Sequence, residues 1–442
     1  MPCRQGTTIM TSWEPMLHVR NAASLEGRNP AALSRRGFLQ AAALATGASP
    51  FLNALRIHAA EIRRKGKACI LVWLAGAPSQ IDTWDPKTGT PNAGSARPIS
   101  TKVPGIQVAH YWPKMAQTID QVAILRTVRG KEAAHERGTY HLHTGRRLGT
   151  PEKHPNFGSV VADKLGDPDF DLPNFVSIGQ TVSSGFLGVR VAPFIVDRAG
   201  ELPRNVKQLV SRAQFARRLR YLQEQEAEFA AAGAEGLVAE HQTIYQRAVR
   251  LMQSPRLKAF QLADEPQHIQ KAYGSSPFQK GLLVARRLVE AGVPFVEVRR
   301  GGWDMHNSIE QRMPPAAADV DQGLSQLLRD LKQRGMLQNT LVVCMGEFGR
   351  TPKINSRTPA PGRDHWARNF CILLAGGGVK GGRVVGKTSR DGTEIVDREI
   401  QVEDFFQTWA RLMGIDPDEE LYTPSGRPLK IVDGGTPIQE IL

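Results

Sequence analysis

The run ACILVWL at residues 68–74 decides the fold class, because an unbroken apolar run of this length is typical of a strand buried on both faces. Five similar runs follow: VAILRTV at 122–128, NFVSI at 174–178, PFVEVR at 294–299, TLVVCM at 340–345 and NFCILLA at 369–375. Segments with helical spacing separate or follow them, at 205–231, 236–254, 276–291, 316–334 and 403–413. Strands that alternate with helices predict an α/β fold with a mainly parallel sheet flanked by helices.

The segment 205–270 differs from the rest of the chain. It is rich in Ala, Gln, Glu and Arg, and no strand-type run interrupts it. This composition predicts a helical insertion beside the sheet. No internal repeat is evident, and we therefore expect a single domain over residues 61–442 that contains this insertion.

The N-terminal part of the chain has the order of a secretory leader. SRRGFL at 34–39 is followed by the mildly apolar run AAALATGASPFLNAL at 41–55 and by the small pair Ala59 and Ala60. Charged, apolar and small segments in this order predict a signal peptide over residues 1–60, and the paired arginines favour the twin-arginine export machinery. The alternative is an amphipathic first helix that contains Arg-Arg. The first interpretation predicts a periplasmic or extracellular protein.

Charge and cysteine content limit the class of partner. The formal net charge is +14 at pH 7, and the part after residue 60 also stays basic. A basic surface attracts sulfated or phosphorylated polymers, although a merely solvated basic face is the alternative. No motif indicates a specific nucleic-acid partner. Of the four cysteines, Cys3 lies in the leader and the others lie in apolar runs, so no disulfide framework is implied.

Four loops next to the predicted strands concentrate polar residues: AGAPSQIDTWDPK at 75–87, GGWDMHNSIE at 301–310, GEFGRTPKIN at 346–355 and GRDHWARNF at 362–370. In parallel sheets, such loops converge at the carboxyl ends of the strands. Their oxygen and imidazole groups suit a divalent ion such as Zn, Mn, Mg or Ca. The candidate metal ligands are Asp82, Asp304, His306, Glu347, Asp364 and His365. Taken singly, each has the alternative role of a helix cap or a hydrogen-bonded loop residue.

A second cluster, HERGTYHLHTGR at 135–146, contains three histidines and two arginines, and we expect a loop to enter a helix there. A helix start of this kind suits an anion. Thr139 and His143 are four residues apart and share a face of the helix, whereas His135 and His141 need not. The alternative is a helix cap with solvent-facing histidines. The Gly-rich AGGGVKGG at 375–382 lacks the spacing of a phosphate-binding loop and is interpreted as a tight turn.

The loops GAPSQIDTWDPK, GWDMHN, GEFGRTP and GRDHW, together with LLAGGGVKGG, resemble those of the domain of unknown function 1501 family. The likeness runs from the leader almost to the C-terminus. That family in turn resembles the alkaline phosphatase and sulfatase superfamily, whose members hydrolyse phosphate or sulfate esters with metal ions and a covalent nucleophile. The resemblance implies an alkaline phosphatase-like fold and an anionic ester as substrate.

The segment HERGTYHLHTGR resembles the sulfatase pattern Cys-x-Pro-Ser-Arg…Leu-x-Thr-Gly-Arg, which places His135 at the position of the nucleophile. Histidine cannot become formylglycine, so His135 itself or Thr139 would have to attack. The superfamily's Asp after the first strand is missing, and its Asp-His pair reads Glu347-Phe348. His365 matches the last histidine ligand. The resemblance therefore implies one metal ion where the superfamily has two.

These observations predict an exported sulfatase- or phosphatase-like hydrolase with one divalent ion. The expected catalytic residues are His135 or Thr139 as nucleophile or base, with Arg137, Arg146 and Arg350 as donors to a tetrahedral anion. The alternative is a degenerate member that binds an anionic polysaccharide or a protein partner without turnover. A third interpretation, an envelope scaffold, rests only on the helical insertion.

Overall fold

A computed structural model describes residues 66–204, 206–207, 209–357 and 360–442. The predicted leader at 1–60 lies outside the described residues. The described residues belong to one compact unit, Ala59–Leu442. Within them, no helix combines the length and the apolar character needed to cross a membrane.

The described residues form a central sheet of nine strands. The strands are β1 (Ala68–Leu74), β2 (Val122–Arg129), β3 (Phe175–Ile178), β4 (Phe194–Val196), β5 (Phe295–Arg300), β6 (Thr340–Met345), β7 (Phe370–Ala375), β8 (Arg383–Val385) and β9 (Ile400–Gln401). Their order across the sheet is β8-β2-β7-β6-β1-β5-β3-β4, and β9 also pairs with β2. All six strands predicted from apolar runs are present, and the three that were not predicted are two or three residues long. The α/β prediction is confirmed.

The helices lie between and after these strands. They are α1 (Pro113–Ala116), α2 (His135–Thr144), α3 (Phe157–Leu165), α4 (Arg212–Phe229), α5 (Glu235–Gln253), α6 (Gln267–Tyr273), α7 (Pro277–Glu290), α8 (Ile309–Gln333) and α9 (Val402–Met413). Helix α7 shows why a helix begins where it does. Ser276 caps its first turn in a reciprocal pair with Gln279, and Pro277 occupies the first helical position. Helices α4 and α5 occupy the segment where the sequence predicts a helical insertion.

Helices cover both faces of the sheet, as the residues of β1 show. Ile70 and Val72 belong to one buried cluster, which includes apolar side chains of α7 and α8. Leu71 and Trp73 point to the opposite face and belong to a second cluster with side chains of α3 and α9. Because both faces are covered, the central strands are apolar throughout. The buried cysteines of β1, β6 and β7 are free thiols.

Strand β7 is the exception to the parallel arrangement, because it runs antiparallel to both β2 and β6. A parallel strand would need a crossover connection, usually a helix. The described residues between β6 and β7, 346–357 and 360–369, contain no helix and include a short ladder of Gly349–Arg350 with His365–Trp366. Strand β7 therefore begins at the edge of the sheet where the parallel strands end.

Short two-stranded ladders complete the structure. Pro98–Ser100 pairs with Gln107–Ala109, Lys387–Thr388 with Ile395–Asp397, and Glu420–Tyr422 with Pro428–Lys430. None of these ladders contributes a candidate site residue.

Candidate metal and anion site

Five of the candidate residues meet at the carboxyl edge of the parallel strands. Asp304 and His306 follow β5, and Glu347 follows β6. His365 precedes β7 and reaches the same edge because β7 is antiparallel. His135 is the first residue of α2, which follows β2. Five side chains from four strand ends thus share one place, although the four segments that carry them are far apart in the sequence.

The carboxylate oxygen Oδ1 of Asp304 is the centre of this group. Nε2 of His306 lies 3.1 Å from it, Nε2 of His135 3.3 Å and Nε2 of His365 3.5 Å. The guanidinium Nη2 of Arg350 donates a hydrogen bond to the same oxygen at 2.6 Å. Burial of the Asp304 carboxyl opposes its ionisation, but Arg350 and the nearby imidazoles outweigh burial and lower its pKa to about 2. Asp304 is therefore a carboxylate at neutral pH.

The orientation of His365 is set by a backbone carbonyl. Its Nδ1 lies 2.7 Å from the carbonyl oxygen of Ala133, which can only accept a hydrogen bond. Nδ1 therefore carries a proton, and in the neutral ring Nε2 presents its lone pair toward Asp304. Burial, together with the charge of Arg350 and other neighbours, lowers the pKa of His365 and favours this neutral form.

His306 is held in a similar way by a carboxylate. Its Nδ1 lies 2.5 Å from Oδ1 of Asp364, and its Nε2 lies 2.9 Å from Nε2 of His365. The amide of Asn355 donates to the backbone carbonyl of His306 at 2.8 Å. Two ring nitrogens at this distance need either a proton or a cation between them, because two lone pairs repel each other.

Glu347 orients His135. Its Oε1 lies 2.6 Å from Nδ1 of His135 and also accepts the backbone N–H of Gly76 at 2.9 Å. The hydrogen bond to Glu347 raises the pKa of His135 against the opposing effect of burial. Helix α2 can approach this closely because residue 138 is glycine, where a Cβ would meet the ring of Phe348 at 2.9 Å. Gly138 thus allows α2 to pack close enough to Phe348 to hold His135 beside Glu347.

The arrangement fits a divalent metal ion. One ligand atom each from His135, Asp304 and His365 lies within 4.8 Å of the other two. Two imidazole nitrogens and one carboxylate oxygen are a donor set that Zn²⁺ takes, and Mn²⁺ accepts the same groups. Nε2 of His135 and Oε2 of Glu347 are buried and have no hydrogen-bond partner among the described residues. A cation bound between these two buried atoms would be the partner that each of them lacks among the described residues.

Several predicted site residues are engaged elsewhere. Asp82 is buried, accepts hydrogen bonds from Ser79 Oγ at 2.5 Å and Arg363 Nε at 2.7 Å, and is not among the residues that meet at Asp304. The structure thus does not place Asp82 with the other predicted ligands. Asp364 contacts His306 and also pairs with Arg357 at 3.0 Å.

The three predicted anion donors are paired with other groups of the chain. Arg350 is buried, and its guanidinium donates to backbone carbonyls, including that of Ala77, as well as to Asp304. Arg137 pairs with Glu132 at 2.9 Å, and Arg146 pairs with Asp433 at 2.8 Å. None of the three lines the cleft beside Asp304. The sequence pattern placed arginines near the helix but could not show that each has an intramolecular partner.

A cleft of about 380 Å³ adjoins the site and is lined along one side by α2. His135, Thr139 and His143 line it, as their spacing of four residues on a helix requires. His141 is buried elsewhere, and neither ring nitrogen has a partner among the described residues. The predicted shared face of Thr139 and His143 is confirmed.

The cleft also contains residues that the sequence analysis missed. Arg299 at the end of β5 and Gln180 and Thr181 after β3 line it. Glu297, two residues before Arg299, is fully buried and lies 3.1 Å from Nε2 of His143. A signal was present, because PFVEVR places a carboxylate in the middle of an apolar strand. A buried charge of this kind requires a partner.

A protein-family model described as "Protein of unknown function (DUF1501)" matches residues 66–442. The chain belongs to this family. No functionally curated protein matches the sequence.

Solved structures similar to this DUF1501 protein include the PsFucS1 sulfatase from Pseudoalteromonas sp., at 12% identity and a TM-score of 0.39, with 81% of this chain and 71% of that chain covered. The C-terminal periplasmic domain of EcEptC from Escherichia coli, in complex with Zn, is similar at 11% identity and a TM-score of 0.35, with 85% of this chain and 92% of that chain covered. A phosphonate monoester hydrolase of Agrobacterium radiobacter is similar at 12% identity and a TM-score of 0.33, with 84% of this chain and 76% of that chain covered.

Proposed function

We propose that this DUF1501 protein is exported and hydrolyses sulfate or phosphate esters with one bound divalent metal ion. The observation that carries the proposal is the convergence of His135, Asp304 and His365, whose ligand atoms lie within 4.8 Å of one another. His306 and Glu347 contact this group and support it. Asp82 is left out of the proposed ligand set because its carboxylate is already paired with Arg363.

A divalent ion at this place would polarise an ester oxygen and lower the pKa of a bound water. The residues of the chain prepare the site for it. Asp304 is ionised at neutral pH, and Ala133 fixes the tautomer of His365, so that two ligand atoms are ready without a proton loss. With His135 among the ligands, Thr139 is the proposed nucleophile, because its side chain lines the cleft one helical turn after His135.

The proposal is tested by measuring the metal content of the protein without its predicted leader. Elemental analysis by plasma mass spectrometry is expected to find about one equivalent of metal, and His365→Ala is expected to lose it together with esterase activity. His268→Ala is the matched control, because His268 is an exposed histidine of α6 outside the site. Metal and activity retained in His365→Ala would contradict the assignment.

A binding protein without turnover is the second candidate, and one observation favours it. The guanidinium of Arg350 lies 2.6 Å from Asp304 and already neutralises the carboxylate that a metal would need. In this case the protein would be isolated free of metal and would still bind an anionic polysaccharide. Release of free sulfate from a sulfated polysaccharide, measured with and without added metal, separates the two, because a metal-dependent hydrolase requires the ion for turnover and a binding protein releases no sulfate in either case.

A further inference from the structure

The cleft beside Asp304 has a second wall that carries none of the proposed metal ligands. It is formed by Arg299 at the end of β5, by Gln180 and Thr181 in the loop after β3, and by His143 of α2. Arg299 and Gln180 are exposed, whereas His143 is buried beneath them. The wall therefore presents a guanidinium and a carboxamide to solvent in the cleft.

The aliphatic stem of Arg299 is held by the loop after β3. Gly179 has a φ of +106°, and a Cβ at this position would meet Cβ of Arg299 at 2.9 Å. The glycine backbone thus packs directly against the stem. The guanidinium, in contrast, makes no hydrogen bond or ion pair with any residue in the described part of the chain. The packed stem leaves the charged head in the water of the cleft, where a ligand can reach it.

The nearest acid along the strand does not neutralise Arg299. Glu297 lies two residues earlier on the same face of β5 and is fully buried. One of its oxygens lies 3.1 Å from Nε2 of His143, and the other accepts the hydroxyl of Thr181 at 2.6 Å. The other nitrogen of His143 lies 2.8 Å from the carbonyl oxygen of Thr139. Glu297 is thus paired with His143, and within the described ranges no carboxylate forms an ion pair with Arg299.

We propose that Arg299, assisted by Gln180, binds an anionic group of the ligand that is not the group being hydrolysed. The planar guanidinium matches a sulfate, phosphate or carboxylate group in a two-point hydrogen bond. The inference rests on the proposed function, in which the reacting ester lies at His135, Asp304 and His365. The substrate is then a molecule with at least two anionic groups, such as a multiply sulfated or phosphorylated saccharide.

Calorimetric titration of the chelator-treated protein with inorganic sulfate, at constant ionic strength, tests the inference. Without metal, Arg350 is already paired with Asp304 and donates to backbone carbonyls, whereas Arg299 has no ion-pair partner among the described residues, so sulfate is expected at Arg299. Arg299→Gln is expected to weaken binding about tenfold. Arg198→Gln is the matched control, because Arg198 is an exposed arginine that does not line the cleft. The control is expected to bind sulfate as the unsubstituted protein does.

Three results would overturn the inference: no sulfate binding by the unsubstituted protein, equal binding by Arg299→Gln, or equal weakening in both variants. Arg299 is exposed, and its replacement should not affect folding, which thermal unfolding would verify. The outcome is separate from that of the proposed hydrolysis. If the protein takes up no metal, the hydrolase proposal is contradicted. If its sulfate binding still depends on Arg299, the proposed anion site is nevertheless supported.

Discussion

Nδ1 of His135 lies 2.6 Å from Oε1 of Glu347, and the backbone N–H of Gly76 donates to the same oxygen at 2.9 Å. Glu347, two residues after the end of β6, thereby orients the first residue of α2, and the backbone of Gly76 in the loop after β1 holds the Glu347 carboxylate in place. This contact leaves Nε2 of His135 directed toward Asp304, at 3.3 Å from its Oδ1. Glu347 thus fixes the ring of His135, as the carbonyl of Ala133 fixes that of His365 and the carboxylate of Asp364 fixes that of His306.

Replacing Glu347 by glutamine is expected to loosen metal binding about 10- to 100-fold, which is typical of the loss of a carboxylate that orients a ligating histidine. In the metal-free protein, the same change is expected to lower the pKa of His135, because the hydrogen bond to Glu347 raises it. Competition with a chromogenic chelator measures the first effect, and histidine NMR titration measures the second. An unchanged pKa of His135 in Glu347→Gln would contradict the assigned contact.

Burial of His141 lowers its pKa to about 4, from an ordinary value near 6.5. Between these pH values the unfolded chain binds a proton that the folded chain does not, so stability is fully present above pH 6.5 and is lost as the pH falls toward 4. The expected loss from this residue is on the order of 3 kcal/mol. His141→Leu should abolish this part of the pH dependence.

Urea unfolding of both proteins at pH 7, 5.5 and 4.5 measures the difference. At pH 7 the His141→Leu variant should be at least as stable as the unsubstituted protein, because neither ring nitrogen of His141 has a partner among the described residues. The advantage of the variant should grow as the pH falls. A constant difference across the three pH values would show that His141 is protonated equally in both states.

The buried pair of His143 and Glu297 predicts strong non-additivity. Glu297→Leu leaves the imidazole of His143 without its carboxylate in the interior and is expected to cost about 3–5 kcal/mol of unfolding free energy. The double variant, with both residues replaced by leucine, should be less destabilised than the sum of the two single variants. Chemical unfolding of all four proteins gives the coupling energy. Additive effects would mean that the two groups do not interact.

The predicted leader is tested by changing both arginines of SRRGFL to lysine. If the twin-arginine machinery recognises Arg35 and Arg36, the full-length chain should accumulate unprocessed in the cytoplasm. Changing Arg4 and Arg20 to lysine in the same way is the matched control, because both precede the motif. Normal processing of the motif variant would contradict the export proposal.

Much of the sheet could be predicted from single apolar runs. A strand such as Ala68–Leu74 is covered by helices on both faces, and its sequence shows this directly because every residue is apolar. Short edge strands such as Phe194–Val196 could not be recognised, since three residues carry no periodicity. The direction of β7 was equally hidden, because apolar content does not depend on strand direction.

The sequence by itself determined the α/β class, the family and most of the polar residues at the carboxyl edge, because these depend on local composition and on short motifs. Only the tertiary structure decided which of those residues act together. Asp82 and Arg363 form a buried ion pair with each other, whereas His365 reaches Asp304 because β7 runs antiparallel. Pairing between charges distant in sequence depends on three-dimensional distance, and a one-dimensional pattern does not contain that distance.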